Sequence, residues 1–375
     1  MEEAHIMIEK HSRRSWGSQQ ARTPFIIAAL TITLSTAIAV VAGPLARLAA
    51  AEAQKNFAAL MTQAKLQADL GNHRQAAEAF ASIASDVTAP AALRSEAMVR
   101  RGLALNAAGD VRASKEIFIQ AVAGSSLDSR ALRFLTYAVA RTVPGKIWPG
   151  FRAAFEDLLK NAEVVSFDEL AMGVATAKRV HLKKAEVELR AVWRPFPPSG
   201  DGAQRSYRAE IAAYELDKTL GLNMVPPTVE RIIEGRPGAI QLWINGCKSY
   251  KDLRGKTPAT SGWNHEVSRV DLFDALIGNT LRDDANNLLV DPDWEIVLVD
   301  HYLGFSSDTE LRNPPSQFDR RLLAKLRAFR EDELQIRLNG ILGREDIRNM
   351  LKRRDALLAH LAKLVAEKGE AAVLF

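Results

Sequence analysis

The spacing of apolar positions divides this chain into stretches of different kind. Thr23 to Ala46 carries no charged residue, and its core from Phe25 to Gly43 is long enough to cross a bilayer as a helix. Residues 50 to 145 are Ala-rich, helical in period and nearly free of β-branched runs. Within them Leu70-Gly71-Asn72-His73 through Phe80 aligns with Ala108-Gly109-Asp110-Val111 through Phe118, an offset of 38 residues. Each copy reads as a helix, a turn at Gly-Asn or Gly-Asp, and a second helix with Phe in the same place. A third pair is expected over Ser129 to Val143 and Ile147 to Leu159.

From Val164 the period shortens. Strands are expected at Val164 to Phe167, Val180 to Leu182 and Val187 to Trp193, followed by a helix from Arg205 to Leu220 that stops at Gly221. Val229 to Ile233 and Ala239 to Ile244 read as a hairpin around Glu234-Gly235-Arg236-Pro237-Gly238. Arg269 to Ile277 is a helix leading into Gly278-Asn279-Thr280. Asp291-Pro292-Asp293-Trp294 supplies turn residues between short strands at Leu288 to Val290 and Ile296 to Val299. Ser316 to Lys368 is helical. The boundaries that follow are a tail at 1–24, an anchor at 25–43, a helical segment at 50–160 and a C-terminal domain at 161–375. The expected fold class is α+β, a two-lobed domain preceded by a transmembrane helix and α-helical repeats.

Charge refines this picture only in places. Lys10, Arg13, Arg14 and Arg22 precede the uncharged run, and Arg47 and Lys55 follow it. The positive-inside rule then puts the N-terminus in the cytoplasm and the C-terminal domain outside, as a single-pass protein of an inner or plasma membrane. Ala37-Ile38-Ala39 leaves open a cleaved signal peptide and secretion. The 375 residues are 47% hydrophobic and 25% charged, with a net charge of +5. Basic and acidic residues are intermixed, so no block argues for nucleic acid. One cysteine, Cys247, excludes an intrachain disulfide.

The run Gly278-Asn279-Thr280-Leu281-Arg282-Asp283-Asp284-Ala285-Asn286-Asn287-Leu288, with Val299-Asp300-His301 behind it, carries the candidate chemistry. Phosphoryl transfer needs Mg²⁺ on hard oxygen ligands, a cation on the nucleotide phosphates and a carboxylate at the attacking hydroxyl. A hairpin that brings Asn286 and Asp300 to one end supplies two such oxygen donors. An ordinary surface hairpin with polar ends has the same spacing.

This run resembles the bacterial phosphatidylinositol 3/4-kinase-like family of atypical kinases, whose local pattern is roughly G-N-T-D-R-x-x-x-N-x-L. Further segments resemble it in the same order: Ala191 to Arg194, Tyr207 to Asp217, Met224 to Val229, Gln241 to Trp243, and the tail from Arg353 to Glu370. The Gly-turn helices similarly resemble tetratricopeptide hairpins, whose usual period is about 34 residues. The kinase resemblance implies ATP and Mg²⁺ as cofactors, with Asn286 and Asp300 as metal ligands. It places Arg194 where the phosphate lysine stands, Glu210 as its helix partner in preference to Glu215, and Gly173 in a phosphate-covering turn. The backbone of Gln241 to Ile244 would face the adenine. Leu281 falls at the position of the catalytic Asp, and leucine accepts no proton. The expected function is therefore a membrane-anchored pseudokinase that scaffolds or regulates a partner, with the helical repeats as a protein-binding or supporting surface. The alternative is an active kinase or nucleotidyl transferase in which Asp283 or Asp284 substitutes as base and Lys178 or Lys183 reaches the phosphates.

Overall fold

The structure is a computed structural model that describes residues 56–123, 145–149, 152–170, 177–184, 187–197, 203–253, 255–258, 260–280, 282 and 286–375. The chain divides into two compact units, Met1–Asn56 and Phe57–Phe375, and the second holds the site. The expected anchor at 25–43 and the helix expected over Ser129 to Val143 lie outside the described residues. Among the described residues no helix is long and apolar enough to cross a membrane.

The helical segment opens with a helix over residues 56–69 (α1), followed by α2 (His73–Ser85), α3 (Ala91–Ala107) and α4 (Val111–Ala123). Its turns form where the Gly-Asn and Gly-Asp pairs stand, with φ of +81° at Gly71 and +85° at Gly109, a region that favours glycine. The two equivalent phenylalanines, Phe80 and Phe118, are both buried. A Cβ on Gly102 of α3 would stand 2.8 Å from the Phe118 ring, so glycine there permits the close approach of α3 and α4.

The helix expected over Ile147 to Leu159 begins later, as α5 (Arg152–Asn161). Residues 146–148 are non-helical and buried, and Trp148 is fully enclosed in the core beneath the sheet that follows. Pro149 explains the delay, because the residue before a proline is pushed out of the helical region.

A five-stranded antiparallel sheet follows: β1 (Glu163–Glu169), β2 (Lys178–Lys184), β3 (Val187–Arg194), β4 (Thr228–Ile233) and β5 (Arg236–Leu242), in the order β1-β2-β3-β5-β4. Alternation along β3 sends Leu189, Ala191 and Trp193 into the core shared with α5, leaving Arg190, Val192 and Arg194 on the opposite face. The β4–β5 turn is tighter than expected. Glu234 and Gly235, at φ +52° and +74°, form the two-residue turn, and Pro237 and Gly238 lie within β5.

Between β3 and β4 runs α6 (Tyr207–Leu220), capped by the Ser206 hydroxyl and ended by Gly221 at φ +67°. The second lobe contains β6 (Lys248–Ser249), α7 (Ser261–Ile277), β7 (Leu288–Val290), β8 (Ile296–Leu298), α8 (Arg320–Arg327), α9 (Glu331–Arg337), α10 (Arg344–Lys368) and α11 (Glu370–Val373). Thr260 caps α7 two turns earlier than the apolar pattern indicated. Strands β6, β7 and β8 make a small antiparallel sheet. The expected mix of helices and strands is present, and the helical stretch expected from Ser316 to Lys368 consists of three helices.

Candidate functional site

Arg194 is the last residue of β3, opposite Ala239 of β5, and the residue is 7% exposed. A buried guanidinium has to be matched by hydrogen-bonded charge. Here its Nη2 donates to Asp300 Oδ1 at 2.5 Å, its Nε lies 3.9 Å from Glu210 Oε1, and Nη1 reaches Gln241 Oε1 at 3.4 Å. Burial alone would lower the Arg194 pKa, but the charges of Asp300 and Glu210 hold it above its ordinary value.

Glu210 is in the first turn of α6 and fully buried. Its Oε1 accepts the backbone N–H of His301 at 3.0 Å, and His301 Nδ1 stands 3.5 Å from Oε2. Burial pushes the Glu210 carboxyl upward, yet the Arg194 guanidinium, followed by His301, outweighs it and holds the group well below the usual carboxylate range. Glu215, the second choice for this role, pairs with Lys218 at 2.8 Å instead.

Asp300 adopts φ +57°, an uncommon conformation for a residue with a side chain. It is held there from both sides, by Arg194 on its carboxylate and by the His301–Glu210 bond one residue on. Asn286 stands at the same end of the β7–β8 hairpin, since Val299 N donates to Asn287 O at 3.1 Å. Asn286 Oδ1 lies 3.5 Å from Ser249 Oγ. The structure thus joins Arg194, Glu210, Gln241 and Asp300 directly, with Asn286 across the hairpin mouth. One guanidinium against two carboxylates leaves a negative charge in the cluster.

The loop entering the hairpin is fastened by residues whose roles the sequence did not reveal. Asp274 of α7 accepts from Asn279 Nδ2 at 2.8 Å and from Arg282 Nε at 2.8 Å. Arg282 also donates to the carbonyls of Asn287 and Val299. Arg353, fully buried on α10, donates to Leu276 O at 2.9 Å, Ser306 O at 2.9 Å and Asp308 O at 2.6 Å. Desolvation drops its pKa to about 10. The one available signal was Arg353 itself, in a segment that matched the resemblance with no function attached.

Other expected residues fall differently. Leu281, Asp283, Asp284 and Gly173 lie outside the described residues. Lys183 pairs in register with Glu188, six residues back from Arg194, about 20 Å along the strand. Lys178 is opposite Trp193, with its ammonium 5.3 Å over the Phe167 ring on the sheet's other face. Neither lysine takes Arg194's place. The Gln241 side chain is buried between Thr228 Oγ1, at 2.9 Å, and Arg194. In the backbone expected to face the adenine, Leu242 N donates to Pro227 O and Trp243 N to Arg190 O.

Further along the Arg194 face a cavity of about 620 Å³ is lined by His181, Lys183, Arg190, Trp243 and Asn245. The Arg179 guanidinium lies 4.2 Å over the Trp243 ring. Arg190 is four residues from Arg194 on the same face, about 13 Å away.

A β3 cation facing a carboxylate of the following helix, with an Asn and an Asp flanking a hairpin in the second lobe, is the arrangement by which protein-kinase-like domains hold phosphates and metal. The fold is kinase-like on this geometry. No protein-family model matches the chain, and no curated protein matches it. The bacterial phosphatidylinositol 3/4-kinase-like expectation therefore stands as a resemblance of residues alone. Among solved structures the chain is similar to hydra Fam20 with sugar, at 13% identity over 67% of this chain and 99% of that one, with a TM-score of 0.49. It is similar to the Golgi casein kinase with Mn/ADP bound, at 15% identity over 60% and 78% of the two chains and a TM-score of 0.47. It is also similar to the Helicobacter pylori proinflammatory kinase CtkA, at 9% identity over 56% and 96% and a TM-score of 0.33. Scores of this size lend no weight to a functional reading, which rests on the contacts described above.

Proposed function

We propose that this chain is a kinase-fold protein that binds a Mg²⁺-nucleotide and does not transfer its phosphate, acting instead as a scaffold or regulator. The observation that carries this reading is the buried Arg194–Glu210–Asp300 cluster. It keeps the paired charges of a phosphate and metal site, while Leu281 stands at the position of the base.

The residues present fit a magnesium ion in a limited sense. No cluster of three or more His, Cys, Asp or Glu side chains able to hold a metal occurs among the described residues. Mg²⁺ bound through one or two side-chain oxygens plus substrate phosphates does not need one. Asp300 and Asn286 would hold it, and the excess negative charge of the cluster favours a cation. Bound there, Mg²⁺ would neutralise the nucleotide's β- and γ-phosphates.

Arg194 is committed to Asp300, so binding requires that pair to open, freeing the carboxylate for metal and the guanidinium for phosphate. Glu210 then remains to orient Arg194 and keep its charge matched. Arginine's planar fork fits phosphate oxygens differently from a lysine ammonium, so holding the nucleotide does not imply the lysine's placement of it. At the far end Trp243 offers a ring face that a ligand would share with Arg179.

The test is a thermal-shift measurement with ATP and Mg²⁺, paired with incubation in labelled ATP and generic protein and lipid acceptors. Stabilisation of about 2.7 kcal/mol is expected at 100 times the dissociation constant, with no transfer above background. Stabilisation that persists unchanged in Asp300→Ala would sink the metal assignment. Transfer that vanishes in Asp300→Ala would sink the pseudokinase reading, and Asp283 and Asp284 would then be the first substitute bases to examine.

The anchor at 25–43, with the domain on the extracytoplasmic side, belongs to the same proposal. Its support is the uncharged run and its basic N-terminal flank. A reporter fused after Phe375 that reads as cytoplasmic would reverse the orientation, and release by carbonate wash would remove the anchor.

A further inference from the structure

We infer that helices α4 and α5 form an internal brace that sets the positions of both carboxylate-bearing elements of the site, with Lys115 and Arg152 as the positioning residues. The inference rests on the reading of Asn286 and Asp300 as the metal end of a nucleotide site, and deepens it.

One arm grips the hairpin. Lys115 of α4 is 6% exposed, and its ammonium lies 2.7 Å from Asp291 Oδ2 and 2.6 Å from Asp293 Oδ2, in the turn between β7 and β8. Asp291 is buried and fully engaged. Its Oδ1 accepts the backbone N–H groups of Asp293 and Glu295, and its Oδ2 accepts that of Lys146 at 3.0 Å. Gly145 completes the seat at φ +84°, where a Cβ would strike the Asp291 carboxylate and stand 2.7 Å from Lys115 Nζ. Its N–H donates to Asn245 O at 2.7 Å, tying the same segment to the link between the lobes. The turn so held is one end of a short hairpin, and Asn286 and Asp300 flank the other. Across three-residue strands, movement at the turn is transmitted to the mouth.

The other arm grips α6. Arg152 of α5 donates to Asp217 Oδ1 at 2.8 Å and to Asn223 Oδ1 at 2.9 Å, and its guanidinium sits 5.2 Å over the Tyr214 ring. Tyr214 in turn donates to Glu156 Oε1 at 2.6 Å. Asp217 is fully buried, and its Oδ2 accepts the N–H groups of Met224 and Val225 where the chain leaves the helix. Helix α6 carries Glu210. Helices α4 and α5 therefore hold the two elements whose separation fixes the Arg194–Glu210–Asp300 cluster. Ion pairs this buried are discrete contacts, made or broken, and their loss leaves unmatched charge behind.

The test uses the full chain with Lys115→Met, Arg152→Met and a control, Phe80→Ala, whose side chain belongs to a core distinct from that of Phe118. Amide exchange is followed by mass spectrometry, and Mg²⁺-ATP affinity by calorimetry. Lys115→Met is expected to speed exchange at Leu288–Leu298 at least tenfold and Arg152→Met to do so in Tyr207–Leu220, with β1 to β3 unchanged. Each is expected to weaken Mg²⁺-ATP binding about tenfold. Phe80→Ala is expected to lower the melting temperature and move neither reading. Asp293→Asn, the milder change, is expected to speed exchange in the same hairpin about threefold, and decides the matter if Lys115→Met does not fold. Exchange that is unchanged in the hairpin, or that rises equally in every segment, overturns the brace. Absence of Mg²⁺-ATP binding in the unaltered protein overturns the nucleotide reading instead, and the exchange pattern still judges the brace.

Discussion

At the scale of single residues, Asp271 offers the clearest pH signature. It lies on α7 one turn before Asp274, and burial, followed by the Asp274 charge, raises its pKa to about 6. A carboxyl whose folded pKa is raised adds stability that is fully present below its unfolded value, near 3.9, and is lost as pH rises through about 6. Asp271→Asn mimics the neutral form. It should therefore stabilise the protein above pH 6, on the order of 1–2 kcal/mol after allowance for solvent screening, and make no difference near pH 4. Denaturant unfolding at pH 4 and pH 7.5 checks the sign, and an equal effect at both would refute it. Arg194→Met is expected to cost about 3–5 kcal/mol, because Glu210 is left buried without its guanidinium, and Arg194→Lys to cost less. Arg194, Glu210 and Asp300 were picked out by the ordered resemblance of the segments that carry them, which apolar period alone would not have singled out. Arg353 and Arg282 were not, because they act on backbone carbonyls of distant segments and a carbonyl leaves no trace in sequence.

Among the elements, α7 shows how a local signal and a tertiary one combine. Gly278 ends it at φ +64°, and a Cβ there would stand 3.0 Å from the Arg353 guanidinium. Gly278→Ala should destabilise by about 1–2 kcal/mol from backbone strain, with the guanidinium forced to shift. Arg353→Met should cost more, about 3–5 kcal/mol, by leaving several carbonyls without their donor. Equilibrium unfolding of both variants tests the order, and the reverse order would show that Arg353 is not what holds the loop. The glycine was readable as a helix stop, and the site strands were readable from alternation. Helix boundaries failed where other forces decided them. Pro149 and the enclosure of Trp148 delayed α5, and the hydroxyl of Thr260 started α7 early, neither of which changes an apolar period. The β4–β5 turn settled on Glu234-Gly235 because a two-residue turn matches strand twist, which moved Pro237 into the strand.

For the whole molecule, the question is what the exchange of two residues withholds. On the proposed function, Leu281 takes the place of a general base, whose help is typically worth 10² to 10⁴-fold. On the same reading Arg194 takes the place of a phosphate lysine, and it closes on Asp300 at 2.5 Å, the carboxylate assigned to the metal. Leu281→Asp alone restores the base while Arg194 still competes for Asp300, so it is expected to give no detectable transfer. Arg194→Lys alone frees part of Asp300 and presents a compact ammonium, which should tighten Mg²⁺-nucleotide binding without producing turnover. Only the double variant meets both needs, and slow transfer is expected from it, abolished again by adding Asp300→Ala. Labelled ATP with generic acceptors, run on the unaltered chain and all four variants beside a melting curve for each, separates loss of fold from loss of chemistry. Transfer by the unaltered chain at the rate of the double variant would show that Leu281 and Arg194 withhold nothing, and that the base lies elsewhere in the loop.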